Sequence, residues 1–550
     1  MVFAASEASH ARTGHYDSSQ PRHKATMRNV VPMWQNDHGD SMIDRRTFIQ
    51  LMAAAGVALT IPGVVGCQTI KGASDRPNFV IFLADDLGYG DLASYGNQII
   101  ETPNIDKLAT QGMRFTDFHS AGTVCSPSRA SLLTGRNPYR SGFYYIAGSG
   151  MHLQREEVTV ASLLAANGYD TCFVGKWHLS SFDRESSTLP TPGDHGFDHW
   201  FATAVNAFEG PENPNTFSRN GERVGEVDGW YCDVIVEEAL AWLRDRPDPD
   251  KPYFLYVCSH EPHTPVEPPD SYADAYDNEA VNQLERSTLY GAVDRPDRDI
   301  NSLKKYYYGT VTQLDNAFGN LMAGLDDEGD EENTLVMFTS DNGPESPVNF
   351  EESRGEWDDF SRDRSFGTPG RWRGMKRYPY EGGHRVPGIA RWTGKIKAGS
   401  INGSLINGTD FLPTMLELAG VSLPSDRALD GVSMLPAFQG RVLQRPGPVY
   451  WFFPAHEDTY YRMPHMAMRD GDHTLLAWLP TKDPDQLIMD WLKTSRLDRF
   501  ALFNLESDPG QTVDLSEEEP ERLAEMSEQM RAFWTAIKDD SPYWETWKMK

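Results

Sequence analysis

Short continuous apolar runs alternate with helix-patterned segments along much of this chain, and this alternation constrains the fold more than any other feature. In "PNFVIFLADDLGYGD" the run Phe79–Ala84 has no polar face, so a strand built from it must be covered on both sides, as at the centre of a parallel sheet. "TPNIDKLATQG" (102–112) reads as a helix with Thr102 as cap, Pro103 at the first helical position and Gly112 as the stop. "VTVASLLAANGYDTCFVGKWH" (158–178) is a helix, a Gly168 stop and a strand. "CDVIVEEALAWLRD" (232–245) is a helix leading to the strand "YFLYVCSH" (253–260). "LKKYYYGTVTQLDNAFGNLMAGL" (303–325) is a long helix ahead of the strand in "TLVMFTSDNG" (334–343). Such repetition predicts an α/β fold with a large, mostly parallel central sheet flanked by helices.

The pattern changes near residue 440. "PVYWFF", "HMAMRDGDHTLLAWLP" and "RFALFNLE" have the look of antiparallel strands, followed by a helix over about 519–538. A chain of 550 residues exceeds one small core, so a large domain over 77–440 and a smaller C-terminal α+β domain over 441–550 are expected. Residues 1–41 are polar and unpatterned, and Met42 is a plausible true start. In "MIDRRTFIQLMAAAGVALTIPGVVGC" (42–67) the twin arginines Arg45 and Arg46 precede an apolar stretch ending in small residues. This reads as a twin-arginine export signal, with "VVGC" resembling a lipoprotein site that would lipidate Cys67. A linker follows over 68–76. The expected address is the periplasm or cell surface, with a lipid anchor through Cys67.

The chain carries 51 basic and 80 acidic residues, a net charge of −29. Such a surface repels nucleic acid and anionic membrane, and any anion site must be a local basic pocket. The acidic runs "DDEGDEE" (326–332) and "EEEPE" (517–521) read as solvated surface. Five widely spaced cysteines, with no C-x-x-C, give neither a zinc site nor a disulfide framework. Cys172 and Cys258 sit in apolar runs and read as core.

Chemistry-bearing residues collect at the expected strand ends. Asp85–Asp86 and Asp341–Asn342 would line the crevice at the carboxyl edge of the sheet. Three carboxylates and an amide oxygen suit a hard divalent cation, Ca²⁺ or Mg²⁺. "GKWH" adds Lys176 and His178, "HEPHTP" adds His260 and His263, and the Gly-rich "GMKRYPYEGGHRVP" adds Lys376. These supply the local cationic pocket that the net charge demands. The lone Cys125 stands in "GTVCSPSRASLLTGR", beside Pro127 and Arg129 at a turn into a helix.

"CSPSR" followed by "LLTG" resembles the signature of the type I, formylglycine-dependent sulfatases, arylsulfatase-like members of the alkaline phosphatase superfamily. The resemblance extends over about 77–540 and takes in the Asp-Asp strand end, "GKWH", "HEPHTP", "SDNG" and the Lys-containing loop in the family's order. "LFNLESDPGQTVDL" (502–515) resembles the family's C-terminal pattern but departs from it at Gln511, where Glu is common, and at Asp514, positions expected to lie away from the chemistry. The resemblance implies that a maturation enzyme oxidises Cys125 to formylglycine, whose hydrate attacks sulfur. It implies that Asp85, Asp86, Asp341, Asn342 and position 125 hold Ca²⁺, with Mg²⁺ as the alternative. It further implies that Arg129, Lys176 and Lys376 offset charge on the diol and sulfuryl group, that His263 protonates the leaving alcohol, and that His178 helps regenerate the aldehyde.

Two other readings are a phosphate or phosphonate ester hydrolase of the same superfamily and an inactive glycan-binding relative. The second would be expected to lack at least one metal or pocket residue, and none is missing. The loops 201–230, 265–300 and 345–372 carry candidate specificity residues, and Trp230, Arg371, Trp372 and Arg373 are those able to stack on or hydrogen-bond a sugar. An exported acidic enzyme makes a sulfated carbohydrate, a polysaccharide or its oligosaccharides, the expected substrate.

Overall fold

The computed structural model describes residues 76–545 and 547, apart from Ser149, 184–186, Phe208, 279–302, 346–363 and 455–462. The twin-arginine segment, Cys67, and parts of the candidate specificity loops lie outside the described residues. No helix among the described residues is long and apolar enough to cross a membrane.

The strands in chain order are β1 (Asn78–Ala84), β2 (Met113–Phe115), β3 (Phe118–His119), β4 (Asp170–Lys176), β5 (His199–Thr203), β6 (Ser218–Arg219), β7 (Glu222–Arg223) and β8 (Tyr253–Cys258). They continue as β9 (Thr334–Ser340), β10 (Gly388–Arg391), β11 (Ser400–Asn402) and β12 (Ile406–Asn407). Ten of them form one sheet in the order β11-β2-β10-β9-β1-β8-β4-β5-β6-β7. The central run β9-β1-β8-β4-β5 is parallel, while β10 pairs antiparallel with both β9 and β2, and β6 and β7 form an antiparallel edge. The expectation of a mostly parallel sheet therefore holds, the edge strand β11 pairing parallel with β2, and the antiparallel exceptions are β10 and the β6–β7 edge.

β1 shows why its sequence has no polar face. Phe79, Ile81 and Leu83 enter one hydrophobic core, and Val80, Phe82 and Ala84 enter the other. The first core is roofed by α2 (Cys125–Thr134), α3 (Val160–Ala166) and α7 (Phe411–Ala419). The second is roofed by α1 (Pro103–Gln111), α4 (Tyr231–Arg244) and α5 (Lys304–Asp327). α1 is capped otherwise than expected. The Thr102 hydroxyl makes no cap bond; the Asp315 carboxylate of α5 accepts the N–H groups of Ile105 (2.7 Å) and Asn104 (3.1 Å) instead.

A separate four-stranded antiparallel sheet follows: β13 (Val449–Phe452), β14 (Met466–Asp470), β15 (His473–Trp478) and β16 (Arg499–Asn504). Alternation gives it two apolar faces. Met466, Met468, Leu475, Ala477 and Leu502 pack under α8 (Pro520–Asp540) with Met526, Met530, Trp534 and Ile537. Trp451, Ala467, Leu476, Ala501 and Phe503 face the other way, onto Met375, Tyr378 and Tyr380. This second face thus covers the loop that carries Lys376.

Candidate active site

The register of the central strands assembles the site. β1 and β9 are parallel with Ala84 opposite Ser340, so Asp85–Asp86 and Asp341–Asn342 emerge side by side at one sheet edge. The ladder continues one step further, through Asp341 N–H to the Ala84 carbonyl at 3.1 Å. β4 delivers Lys176 and β8 leads to His260 and His263 at the same edge. Asp86 (φ 66°) and His178 (φ 54°) occupy the left-handed region, a strain that non-glycine residues adopt chiefly where the surroundings impose it.

Cys125 is the first residue of α2, after the extended N-cap residue Val124, and is 2% exposed. Burial pushes its thiol up to about 11, so the unmodified side chain is a poor nucleophile at neutral pH. Asp85, Asp86, Cys125 and His263 each offer one ligand atom, and these atoms lie within 4.8 Å of one another.

The cations interleave with the carboxylates. Lys176 Nζ bonds Asp85 Oδ2, which also accepts from Asn206 Nδ2 at 3.2 Å. Lys376 Nζ reaches Asp86 Oδ2 at 2.8 Å and Glu345 at 3.6 Å. Arg129 meets Asp341 Oδ2 through Nε (2.9 Å) and Nη2 (2.8 Å), and Nη1 donates to the Lys176 carbonyl at 2.6 Å. Arg129 thereby orients Asp341 and the end of β4. Burial works to raise the Asp85 carboxyl, yet Lys176, His263, Arg129 and Lys376 together hold it well below the usual range. Burial pushes Asp86 up to about 7 against the pull of Lys376, with Asp85, Glu345 and Asp341 adding to the rise. Asp341 is also raised, by burial and by Asp85.

Two buried oxygens, Asp85 Oδ1 and Asn342 Oδ1, have no hydrogen-bond partner among the described residues. Such orphans are costly unless something accepts their lone pairs. An all-oxygen set of crowded carboxylates and an amide suits a hard divalent cation, which would ligate the orphans and relieve the repulsion among the three aspartates. The residues present fit that group.

His263 contributes from the crevice side. Its Nδ1–H donates to the Thr264 carbonyl at 2.6 Å, leaving Nε2 3.6 Å from Asp86 Oδ2. Burial and then Lys376 hold this imidazole well below the usual range. His178 is likewise held well below the usual range, by burial and then by Lys176 and Arg129, and its buried Nδ1 has no hydrogen-bond partner among the described residues. His260 turns inward, Nδ1 accepting from Asn206 Nδ2 at 3.3 Å.

Asn206, Glu345, Glu381 and Gln511 all act on the site without any motif that singles them out. The Lys376 loop is pinned by Lys376 N–H to the Pro344 carbonyl (2.9 Å) and Arg377 N–H to the Thr123 carbonyl (2.8 Å). It ends in the short helix α6 (Glu381–His384), whose glycines are obligatory: a Cβ on Gly383 would stand 1.9 Å from the Tyr378 carbonyl oxygen, and one on Gly382 2.3 Å from that of Gly374. Gln511 is fully buried and accepts the Glu381 N–H at 3.0 Å, so it sits closer to the chemistry than the sequence suggested. Asp514 holds only its local turn, accepting from Leu502 N–H at 3.1 Å.

The family model described as sulfatase matches residues 77–421, and that of the N-sulphoglucosamine sulphohydrolase C-terminal region matches 371–537. The chain is 34% identical over 402 residues to N-acetylgalactosamine-6-sulfatase from Rattus norvegicus, spanning 68% of each protein. It is 34% identical over 433 residues to arylsulfatase A from Homo sapiens, spanning 74% of each. Among solved structures, Ps i-CgsB in complex with k-i-k-neocarrahexaose superposes with a TM-score of 0.67 at 25% identity, over 86% of this chain and 95% of that one.

Proposed function

The chain belongs to the sulfatase family and hydrolyses sulfate esters, and we propose that its substrates are sulfated polysaccharide or the oligosaccharides derived from it, turned over through formylglycine at position 125 with Ca²⁺ at the acidic site. The observation that carries this reading is the pair of orphaned buried oxygens, Asp85 Oδ1 and Asn342 Oδ1, in a crevice that Cys125 shares at the start of α2. Asp85, Asp86, Asp341, Asn342 and position 125 would hold the cation, with Mg²⁺ as the alternative. When bound, the cation supplies Lewis acidity toward sulfate oxygen and lowers the pKa of a hydroxyl beside it. Once oxidised, position 125 supplies a hydrated aldehyde, one hydroxyl of which takes the sulfuryl group while the other allows sulfate to be expelled.

The protein's own groups do the rest. Lys176, on Asp85, and Lys376, on Asp86, neutralise charge that builds on the sulfuryl oxygens. The N-terminus of α2 favours an anion at position 125. Arg129 fixes the Asp341 carboxylate. His263 Nε2 lies 3.6 Å from Asp86 Oδ2 at the crevice; it would take up a proton as the anionic substrate enters, with Nδ1–H still on the Thr264 carbonyl, and would pass that proton to the departing sugar alcohol. His178, neutral and buried, accepts the proton of the second hydroxyl as sulfate leaves. The phosphate and phosphonate reading yields to the sulfatase relatives, and the inactive reading is opposed by the complete set of site residues. A sugar sulfate is supported by a relative named as an N-acetylgalactosamine-6-sulfatase and a fold neighbour solved with a neocarrahexaose. An export signal at Arg45–Arg46 agrees with a substrate too large to enter the cell.

The test is exhaustive chelation followed by titration with Ca²⁺ or Mg²⁺, reading nitrophenyl sulfate hydrolysis and the melting temperature. Activity and part of the thermal stability should be lost together and return with the cation. Full activity in the chelated protein overturns the metal assignment. Product analysis over a panel of sulfated glycans identifies the sugar.

A further inference from the structure

A cavity of about 600 Å³ opens between Tyr89, Tyr95, Thr116, Asp117, the loop Gly370–Trp372, and residues of the C-terminal sheet region that include Asp472 and Glu506. Its volume lies in the range of small-molecule sites. None of the residues assigned to the reaction lines it.

Strand register locates the cavity relative to the reacting centre. Gly388 of β10 is paired with Phe115 on one side and Thr339 on the other. Thr116 and Asp117 therefore leave β2 level with the point where Ser340 and Asp341 leave β9, at the same sheet edge and two strands away. Two strand spacings put the cavity about 10 Å along that edge from Asp341. The same loop serves both places, since Trp372 lines the cavity and Lys376, four residues on, reaches Asp86.

The lining separates into a fixed wall and a free rim. The tyrosine hydroxyls are tied back, Tyr89 to the Thr116 carbonyl (3.1 Å) and Tyr95 to those of Phe115 (2.9 Å) and Gly388 (2.6 Å), so their rings are what the cavity meets. Arg385 lies 3.8 Å over the Trp372 ring and is held by Asp117 and Glu381. Arg469 is held by Glu381 and Asp117. Of the aromatic and arginine residues singled out in the sequence, Trp372 is buried beneath Arg385, and Arg373 is used on the Gln511 carbonyl at 2.6 Å. Arg371 is different: it is exposed, touches only the Trp372 ring, and has no hydrogen-bonding or ionic partner among the described residues. The side chains of Asp472 and Glu506, exposed in the same lining, make no hydrogen bond or close ion pair among the described residues, though Asp472 lies near enough to Arg469 to raise its guanidinium.

An exposed guanidinium and two exposed carboxylates, with aromatic rings in the same lining, match a ligand whose groups both donate and accept hydrogen bonds. An anion would be repelled by Asp472 and Glu506, and an apolar molecule would leave all three groups unpaired. A pyranose ring meets both demands. We propose that this cavity is a sugar subsite that receives a neighbouring residue of the glycan while the sulfated residue occupies the metal crevice, with Arg371, Asp472 and Glu506 as its hydrogen-bonding groups. This rests on the reading of a sulfated glycan as substrate.

The experiment compares kcat/KM for nitrophenyl sulfate, a sulfated monosaccharide and the best-cleaved oligosaccharide from the glycan panel. It uses the mature wild-type enzyme and the surface variants Arg371→Ala and Glu506→Ala. The wild type should prefer the oligosaccharide to the monosaccharide. Arg371→Ala should reduce the ratio of oligosaccharide to aryl sulfate kcat/KM by at least about tenfold, the weight of a charged hydrogen bond, with a smaller loss for Glu506→Ala. A ratio unchanged in both variants, or a wild type without preference for the longer sugar, overturns the subsite while leaving the sulfatase chemistry intact. Aryl sulfate turnover without glycan turnover removes the substrate reading and this proposal with it. Inactivity of formylglycine-containing enzyme toward every sulfate ester defeats the chemistry itself.

Discussion

Arg469 of β14 donates to the buried carboxylate of Glu381 through Nη1 at 2.9 Å, joining the C-terminal sheet to the loop that carries Lys376. Glu381 also accepts from Arg385 Nε at 3.0 Å, and the two arginines, countering the effect of burial, hold its carboxyl far below the ordinary range. With Gln511 on the Glu381 N–H and Met375, Tyr378 and Tyr380 packed on the sheet, the small C-terminal unit is part of the apparatus that sets the lysine. Gln511→Ala should therefore lower kcat on nitrophenyl sulfate about 10- to 100-fold, the cost of displacing a positioned group. It should also cost about 1–3 kcal/mol of stability for the uncapped buried N–H. Arg469→Lys should lose less of both than Arg469→Met. Paired measurement of kcat and melting temperature checks this: a fall in stability with unchanged kcat would make the sheet a mere buttress.

His263 should matter in proportion to the basicity of the leaving group. Sugar alkoxides need a proton far more than nitrophenolate does. His263→Ala should cost sugar-sulfate turnover on the order of 10²–10⁴-fold and aryl sulfate turnover much less. Equal losses in kcat/KM for the two substrate types would make His263 a binding residue and pass the acid role to Lys376.

Maturation is read directly by mass. A tryptic peptide spanning Cys125 should carry formylglycine in active protein made in a host with the modifying enzyme. Cys125→Ala should abolish turnover without unfolding, because its neighbours Ser126 and Arg129 are anchored independently. Full activity with an intact thiol at position 125 would exclude the proposed mechanism.

Replacing Arg129 should separate scaffold from chemistry. Asp341 and Asp85 raise its guanidinium far above the ordinary range against the effect of burial, and Arg129→Met leaves Asp341 buried without its partner. A loss of about 3–5 kcal/mol is expected. Added Ca²⁺ should recover part of it by neutralising the same carboxylate; a melting temperature insensitive to Ca²⁺ would argue against Asp341 as a ligand.

Export is tested by replacing Arg45 and Arg46 with lysine, which should leave the protein in the cytoplasm. Cys67→Ala should release any membrane-held fraction. Export indifferent to the double replacement would refute the signal.

The sequence by itself determined the layered α/β plan, the antiparallel C-terminal sheet and which chemistry-bearing residues stand at strand ends. Apolar runs without a polar face can exist only under two layers of helix, as Val80 and Ile81 on opposite faces of β1 demonstrate. Chemistry concentrated at strand ends is visible because polar residues there interrupt local periodicity, as Asp85–Asp86 do after Ala84. What only the tertiary structure decided are the partners brought together across long stretches of chain. Asp315 caps the helix at whose N-cap position Thr102 stands, and Asn206 adds a donor to Asp85 Oδ2 beside Lys176. Arg129, legible as a pocket cation, pairs with Asp341, and Gln511, legible only as a departure from a pattern, caps the helix beside the Lys376 loop. A side chain's identity and local spacing fix what it can donate or accept. Which group it meets depends on sheet register and on the packing of one layer against another, and neither leaves a periodic trace in the sequence.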